Sequence, residues 1–379
     1  NANAGADTIT FDASLAGGTI FLGTLGELEI TDSVTIDGDL DDDGVPDITL
    51  DADSAVGLDD AASRLVGIRG IGNSLDVTIE GLTLRDGSSA ASGGALFANY
   101  SIDLTLTNVI LTDNETTATS GAGGAVFVVQ GNGTFTMSGS QVLNNTAGAY
   151  GGGLYLGSGV GEITNSLIAG NSADSGGGFA SVAGDAVFTN TTVFGNYAEL
   201  LGGGIRAGGD LTLVNSTVTG NLAANTLGGG GGGGIAFPGS DLVVTNSIVA
   251  GNSSPSNAQI YEYNAASVLY QNSLIQDDTT DIFATSATNT LGVTTGELAD
   301  NGGPFDTVAI ANTGIAINAG DLALAVDPDG AALTTDARGA GYARVVGGEV
   351  DIGAYESVSP PLTLTVTVTE DQLDASGTG

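Results

Sequence analysis

A segment of about eleven residues recurs eight times along this 379-residue chain, and a recurrence at that period restricts the fold more than any other feature of it. The copies read VTIEGLTLRDG, LTLTNVILTDN, FTMSGSQVLNN, GEITNSLIAGN, AVFTNTTVFGN, LTLVNSTVTGN, LVVTNSIVAGN and VLYQNSLIQDD. Their first corner residue falls at Gly81, Asn108, Gly139, Asn165, Asn190, Asn215, Asn246 and Asn272, so successive spacings are 27, 31, 26, 25, 25, 31 and 26. Each copy is a short alternating strand, one small polar residue, three or four β-formers and then Gly-Asn or a similar pair. Between copies a glycine cluster leads into a further apolar strand, as in Gly93-Gly94-Ala95-Leu96-Phe97 and Gly123-Gly124-Ala125-Val126-Phe127. Two or three short strands per repeat, joined by tight corners, suit a chain that coils so that each turn pairs with the turn above it.

The expected fold is therefore all-β: a right-handed parallel β-helix of about a dozen coils, roughly 60 Å long at the parallel-strand spacing. Four stretches are expected: N-terminal coils with an acidic loop (1–72), regular repeats (73–285), a C-terminal β-helix closing region (286–358), and a linker with a strand tail (359–379). Stacking turns equivalent apolar positions into a continuous core and equivalent asparagines into ladders. Asparagine and glycine suit the corners because both tolerate positive φ. The second asparagine column, Asn114, Asn145, Asn171, Asn196, Asn221 and Asn252, is read as structural. The glycine run 228–234 is either a flexible loop or a close-packed backbone surface.

Composition removes several classes of function. Acidic residues number 44 against six basic ones, all arginine, and there is no histidine or cysteine; the net charge is −38. Such a surface repels phosphate backbones and anionic lipids and attracts divalent cations. Nucleic acid is not an expected partner. Thiolate metal sites and cysteine, histidine or lysine chemistry are excluded outright. No stretch approaches the ~20 apolar residues of a membrane span, and no basic n-region opens the sequence, so neither a span nor a signal peptide is expected. Sequons at Asn99, Asn114, Asn144, Asn190, Asn215 and Asn252 arise readily by chance in a chain this rich in asparagine.

The best local motif is D-x-D-x-D-G-x-x-D, beginning at Asp39. Asp39, Asp41 and Asp43 are alternate carboxylates on a tight loop, Gly44 permits the turn, Val45 offers a carbonyl, and Asp47 reaches inward directly or through water. That spacing points to calcium. Asp51 or Asp53 would close the shell. The bidentate glutamate of a complete EF-hand is absent, since position 50 is leucine. An acidic hydrated turn without an ion is the alternative. Asp277-Asp278 and Asp327-Asp329 are weaker candidates.

The ends of the chain carry a resemblance. NANAGADTITFD at 1–12 is similar to the segment that follows the helix in bacterial surface proteins of the CSLREAI type. LADNGGP at 298–304, AINAGD at 316–321, TDARG at 335–339 and VDIGAYE at 350–356 resemble the choice-of-anchor Q signature, a polymorphic-outer-membrane-protein-like group. The resemblance implies a secreted or cell-surface bacterial β-helix and carries over no catalytic residue. The tail LTLTVTVTED at 362–371 is similar to the strand that precedes the CSLREAI helix. Leu362, Leu364, Val366 and Val368 then form a candidate inter-unit strand, joining a following subunit or tandem repeat; pairing with this domain's own sheet edge, or a linker role, is the alternative.

The functional expectation is a non-catalytic extracellular structural or adhesive module, a unit of a tandem-repeat surface protein or of a self-assembling fibre, with calcium as its cofactor and itself or a surface polysaccharide as partner. The alternative is a polysaccharide-binding or lyase-like β-helix. Lyase chemistry needs a base and a cation beside an acidic sugar. With no lysine or histidine, an arginine or a tyrosine would have to serve; Arg206 lies on a solenoid strand, where an arginine is ordinarily a salt-bridge or surface residue, and paired carboxylates would suit glycoside hydrolysis instead. A groove with stacked aromatics and an arginine would favour this alternative.

Overall fold

The computed structural model describes residues 7–53, 63–70, 74–129, 131, 133–224, 230–263, 266–289 and 292–358. The tail positions Leu362, Leu364, Val366 and Val368 lie outside the described residues, as do residues 228 and 229 of the glycine run.

Three parallel sheets wrap around one core. Sheet A holds ten strands from Asp7–Thr10 to Ser267–Gln271, sheet B ten from Thr19–Phe21 to Leu274–Gln276, and sheet C nine from Leu28–Ile30 to Ile260–Glu262. Within each sheet the neighbours of a strand are the equivalent strands one turn before and one turn after. The result is a β-solenoid of about nine turns, consistent with the right-handed parallel β-helix that the repeats predict. At the parallel spacing it spans roughly 45 Å, shorter than the expected dozen coils.

Alternation sets the core. In sheet A one inward column runs Ile36, Ile79, Leu106, Met137, Ile163, Phe188, Leu213 and Val244, each directly paired with the next. All eight are buried. Sheets B and C contribute matching columns through Leu84, Leu111 and Val142, and through Leu96, Val126 and Leu154. A strand displaced by one residue would turn its column outward, so the pairing register is fixed by burial.

The corners explain the asparagines. Between sheets A and B the turn is one or two residues, and its first residue takes positive φ in every copy from Gly81 (60°) through Asn108 (52°) to Asn272 (47°). The second column forms a buried ladder. The Asn145 Nδ2 donates to Asn171 Oδ1 at 2.9 Å, and the Asn145 backbone N–H donates to the same oxygen at 2.9 Å. The pattern repeats from Asn114 to Asn252, where Gln259 Oε1 accepts in place of a further asparagine. At the entry to sheet C, glycine is required by contact: a Cβ on Gly152 would overlap the Gly177 and Ser172 carbonyls of the adjacent coil. The described part of the glycine run behaves the same way, with Gly231 against Ser256 and Gly233 against Ser253, which selects the close-packed reading there.

The segment 286–358, expected to close the β-helix, instead folds back along the outer face of sheet B. Its described residues hold two antiparallel strand pairs, Ser286–Thr288 with Thr294–Gly296 and Leu298–Ala299 with Thr307–Val308, and no further solenoid turn. This accounts for the smaller coil number. Ile282, Val308, Ile310 and Ile352 pack on outward-facing Ile248 and Ala250, and Phe305 packs on Leu167 and Ala169. Corner asparagines secure the lobe: Asn190 Nδ2 donates to the Thr335 carbonyl at 2.8 Å, and Asn246 exchanges two hydrogen bonds with Asp321.

Inside the lobe lies a buried ionic cluster. Asp336 holds Arg338 at 2.6 Å, with that guanidinium between the Tyr342 and Tyr355 rings, and Glu356 holds Arg344 at 2.8 Å. Asp351 accepts the backbone N–H groups of Asn318 and Ser357. Three carboxylates thus face two guanidinium groups. Burial pushes the Glu356 carboxyl up to about 7 against the pull of Arg344, and burial raises Asp351 in the same direction. A raised folded-state pKa contributes stability that is complete below the ordinary carboxylate range and is lost as pH rises through about 7. The lobe is therefore expected to open more readily at pH 8 than at pH 5, read as lower amide protection over 330–357 once the intrinsic base-catalysed rise in exchange is divided out, with Glu356→Gln flattening the slope. The opposite slope would sink this account.

Candidate functional site

The acidic loop is an insertion at one corner. Where the coils from Leu75 onward pass from sheet A to sheet B in one or two residues, the strand Val34–Asp37 is joined to Ile48–Asp51 by residues 38–47. Its base is closed by the Asp47 N–H donating to the Gly38 carbonyl at 3.2 Å. Its tip is shaped by left-handed Asp42 (57°) and Gly44 (81°). The carboxylates bind the loop's own backbone: Asp39 accepts from Gly44 N–H at 2.8 Å and Asp43 N–H at 3.2 Å, and Asp47 accepts from Leu40 N–H at 2.8 Å.

Of the five expected ligands, the fold brings three together. Asp39, Asp41 and Asp47 each present an oxygen, and these oxygens lie within 4.8 Å of one another. The Asp41 carboxyl is raised, first by Asp43 and then by a small burial effect and by Asp47, the response of an anion among anions that a cation would relieve. Asp43 falls outside this group and accepts from the Val45 N–H at 2.8 Å. Val45 is half exposed at the rim of a cavity of about 510 Å³ between the loop and the C-terminal lobe, also lined by Asn108, Asn165 and Phe305.

Asp51 and Asp53 do not complete that shell. They form a second acidic group with Asp86, in which buried Asp51 is engaged by Arg85 at 2.6 Å. Burial, followed by repulsion from Asp51, raises Asp86 to about 6. Sequence spacing alone does not point to Asp86, which is 35 residues after Asp51 and reaches it because the strand Leu82–Arg85 pairs with Ile48–Asp51. Asp277 and Asp278 line a polar crevice of about 460 Å³ at the last coil, where Asp277 accepts from Gln259 Nε2 at 2.9 Å. Asp327 caps a turn, accepting from the Ala331 N–H at 2.8 Å.

On the opposite side of the rod, the outer face of sheet C carries stacked rings. Phe97 and Phe127 lie 5.4 Å apart and nearly parallel, and Phe127 and Tyr155 lie 4.9 Å apart with planes at 5°. The sequence shows these residues singly, 28 to 30 apart; only the pairing register stacks them.

Among the described residues, no helix is long and apolar enough to cross a membrane. No known protein family matches the chain, and no curated protein matches it.

Proposed function

We propose that this chain is a non-catalytic structural or adhesive rod, acting outside the cell or on its surface, that joins end to end with further units. One observation carries the reading: the three inward columns that are buried throughout the solenoid surface at both of its described ends. In sheet A the column ends at Ile9, 48% exposed, and at Tyr270, 43% exposed, with every residue between them buried. In sheet C it ends at Leu28 and Ile260, and in sheet B at Ile20 and Ile275. Among the described residues the terminal strands also have one unpaired edge each, and an open parallel edge accepts another strand. A last coil set against the first coil of a second unit would place Tyr270 on Ile9, Ile275 on Ile20 and Ile260 on Leu28. Such a head-to-tail contact does not close on itself and propagates into a fibre.

Both rims are acidic, with Asp7, Asp12, Glu27 and Glu29 at one end and Glu262, Asp277 and Asp278 at the other. Their repulsion makes assembly dependent on salt or divalent cations. Calcium in the loop of Asp39, Asp41 and Asp47 would stiffen the first turns. The strand tail at 362–369 supplies a further joining element in this reading.

Negative-stain electron microscopy in calcium and in chelator is the test, applied to the intact chain, to a chain ending at Pro361 and to Tyr270→Asp. End-to-end filaments are expected in calcium for the intact chain and single rods for Tyr270→Asp. Loss of filaments on truncation assigns the joining to the tail as well. Single rods for the intact chain in calcium at high concentration would overturn the reading.

A further inference from the structure

We propose that the outer face of sheet C is a docking strip for a carboxylated polysaccharide, with Arg206 binding the carboxylate and Tyr150 and Tyr155 carrying the sugar ring. This goes beyond the end-to-end reading and does not depend on it. The starting point is a count of cations. Arg64 and Arg69 pair with Glu27, Arg85 with Asp51, Arg338 with Asp336 and Arg344 with Glu356. Arg206 forms no ion pair among the described residues, in a chain with 44 carboxylates. One Nη1–H donates to the Ser181 carbonyl at 3.1 Å, and the guanidinium lies 5.1 Å from the centre of the Tyr150 ring. The rest of its planar fork is left for an acceptor, and that fork matches a carboxylate in two parallel hydrogen bonds.

The surroundings define the rest of the ligand. Arg206 stands in the outward column Glu29, Gly67, Phe97, Phe127, Tyr155, Ala180, Arg206, Ala236, Tyr261, whose one carboxylate, Glu29, lies six coils from Arg206 and beside Arg69. The small side chains of Ala180 and Ala236 on either side leave the guanidinium unobstructed along the column. Tyr150, 39% exposed, tilts against Tyr155 at 6.4 Å, and Tyr155 continues into the Phe127 and Phe97 stack. The strip is straight and runs along the rod axis for roughly 20 Å, with Arg206 at one end and Arg64, already paired with Glu27, over the Phe97 ring at the other. Phe97, Phe127 and Tyr155 are stacked face on face and Arg64 covers Phe97, so Tyr155, last in the stack, has one face turned away from the others. A sugar ring lying over Ala180 would rest on that face while its carboxylate meets Arg206. An acidic peptide would satisfy Arg206 and leave that face uncovered. Charges on the other faces of the rod are screened beyond about 8 Å at physiological salt.

The test is calorimetric titration of the full chain with oligogalacturonate, at about 0.15 M salt and in chelator so that no divalent cation bridges the acidic loop to the ligand. A neutral cello-oligosaccharide of equal length and polyglutamate serve as the comparison ligands. Oligogalacturonate is expected to bind, Arg206→Gln to weaken it about tenfold or more, Arg206→Lys to restore part of the loss, and Tyr155→Leu to weaken it several-fold. Circular dichroism melting of each variant confirms the fold. Equal binding by Arg206→Gln, equal binding of the neutral oligosaccharide or of polyglutamate, or no binding of oligogalacturonate by the intact chain would each overturn the proposal.

Discussion

Asn171→Ala is expected to destabilise the solenoid by about 4 kcal/mol, among the largest effects of any single substitution in the chain. The Asn171 Oδ1 accepts both the backbone N–H and the Nδ2 of Asn145, and its own Nδ2 donates to the Val142 carbonyl at 2.9 Å and to Asn196. Alanine leaves the Asn145 backbone N–H and one of its two Nδ2 hydrogens buried with no acceptor, the other still donating to the Leu111 carbonyl at 3.0 Å; each loss costs roughly 1–3 kcal/mol, and donors are stripped from carbonyls that water cannot reach. Asn171 is completely buried. Urea unfolding would show the midpoint falling. Thr136→Ala, on the solvent side of sheet A, is the control and should change stability by about 0.5 kcal/mol or less. A midpoint for Asn171→Ala equal to that control would mean that the ladder is a consequence of stacking and not a contributor to it.

Arg344→Ala is the second large effect, and it acts on the lobe. Removing the guanidinium leaves Glu356 buried beside Asp336 and Asp351 with one cation fewer, and breaking a buried pair from one side typically costs about 3–5 kcal/mol. Because the lobe is held to sheet B by a modest apolar patch and a few asparagine hydrogen bonds, that loss is expected to release it. Limited proteolysis should then cut within 277–357 while the solenoid stays resistant. The double variant Arg344→Met with Glu356→Leu removes both charges and should recover most of the loss. If the double variant is cleaved as fast as the single one, the cluster is not what holds the lobe closed.

These two sites differ in how far the sequence exposes them. The ladder is legible: the asparagines fall at the repeat period, and any chain that stacks at that period must bring them into contact. The signature segments around Asp336, Arg338, Arg344 and Glu356 are visible as motifs, yet nothing in their spacing says that they form one buried ionic cluster. That cluster depends on residues 12 to 20 apart meeting in a compact lobe. The path of the lobe was encoded more faintly. The strands Leu167–Ala169, Thr217–Thr219 and Ile248–Ala250 are buried on both faces, where the alternation of Leu75–Glu80 leaves one face to solvent. A short run without alternation is the mark of a strand covered on both sides. Read that way, the later coils of sheet B call for a cover, and the C-terminal segment is what supplies it.

The acidic loop was legible as a loop and as a cluster, and less so as a coordination shell. Alternating aspartates imply convergence, but Asp43 is turned away by its bond to Val45, and Asp51 is drawn off by Arg85 from the coil above. Both outcomes depend on backbone geometry and on a neighbour 34 residues distant.

What the sequence determined by itself is whatever repeats. Period, corner residues and alternation are local quantities, and parallel stacking copies them from turn to turn without further choice, so the fold, the core columns and the asparagine ladder follow from one chain read in order. What only the tertiary structure decided is whatever occurs once: the return of residues 286–358 along sheet B, the joining of Asp86 to Asp51, the row of Phe97, Phe127 and Tyr155, and the one arginine that forms no ion pair among the described residues. These depend on which positions the register places side by side and on which charges reach one another, and both are fixed only when the whole rod is assembled.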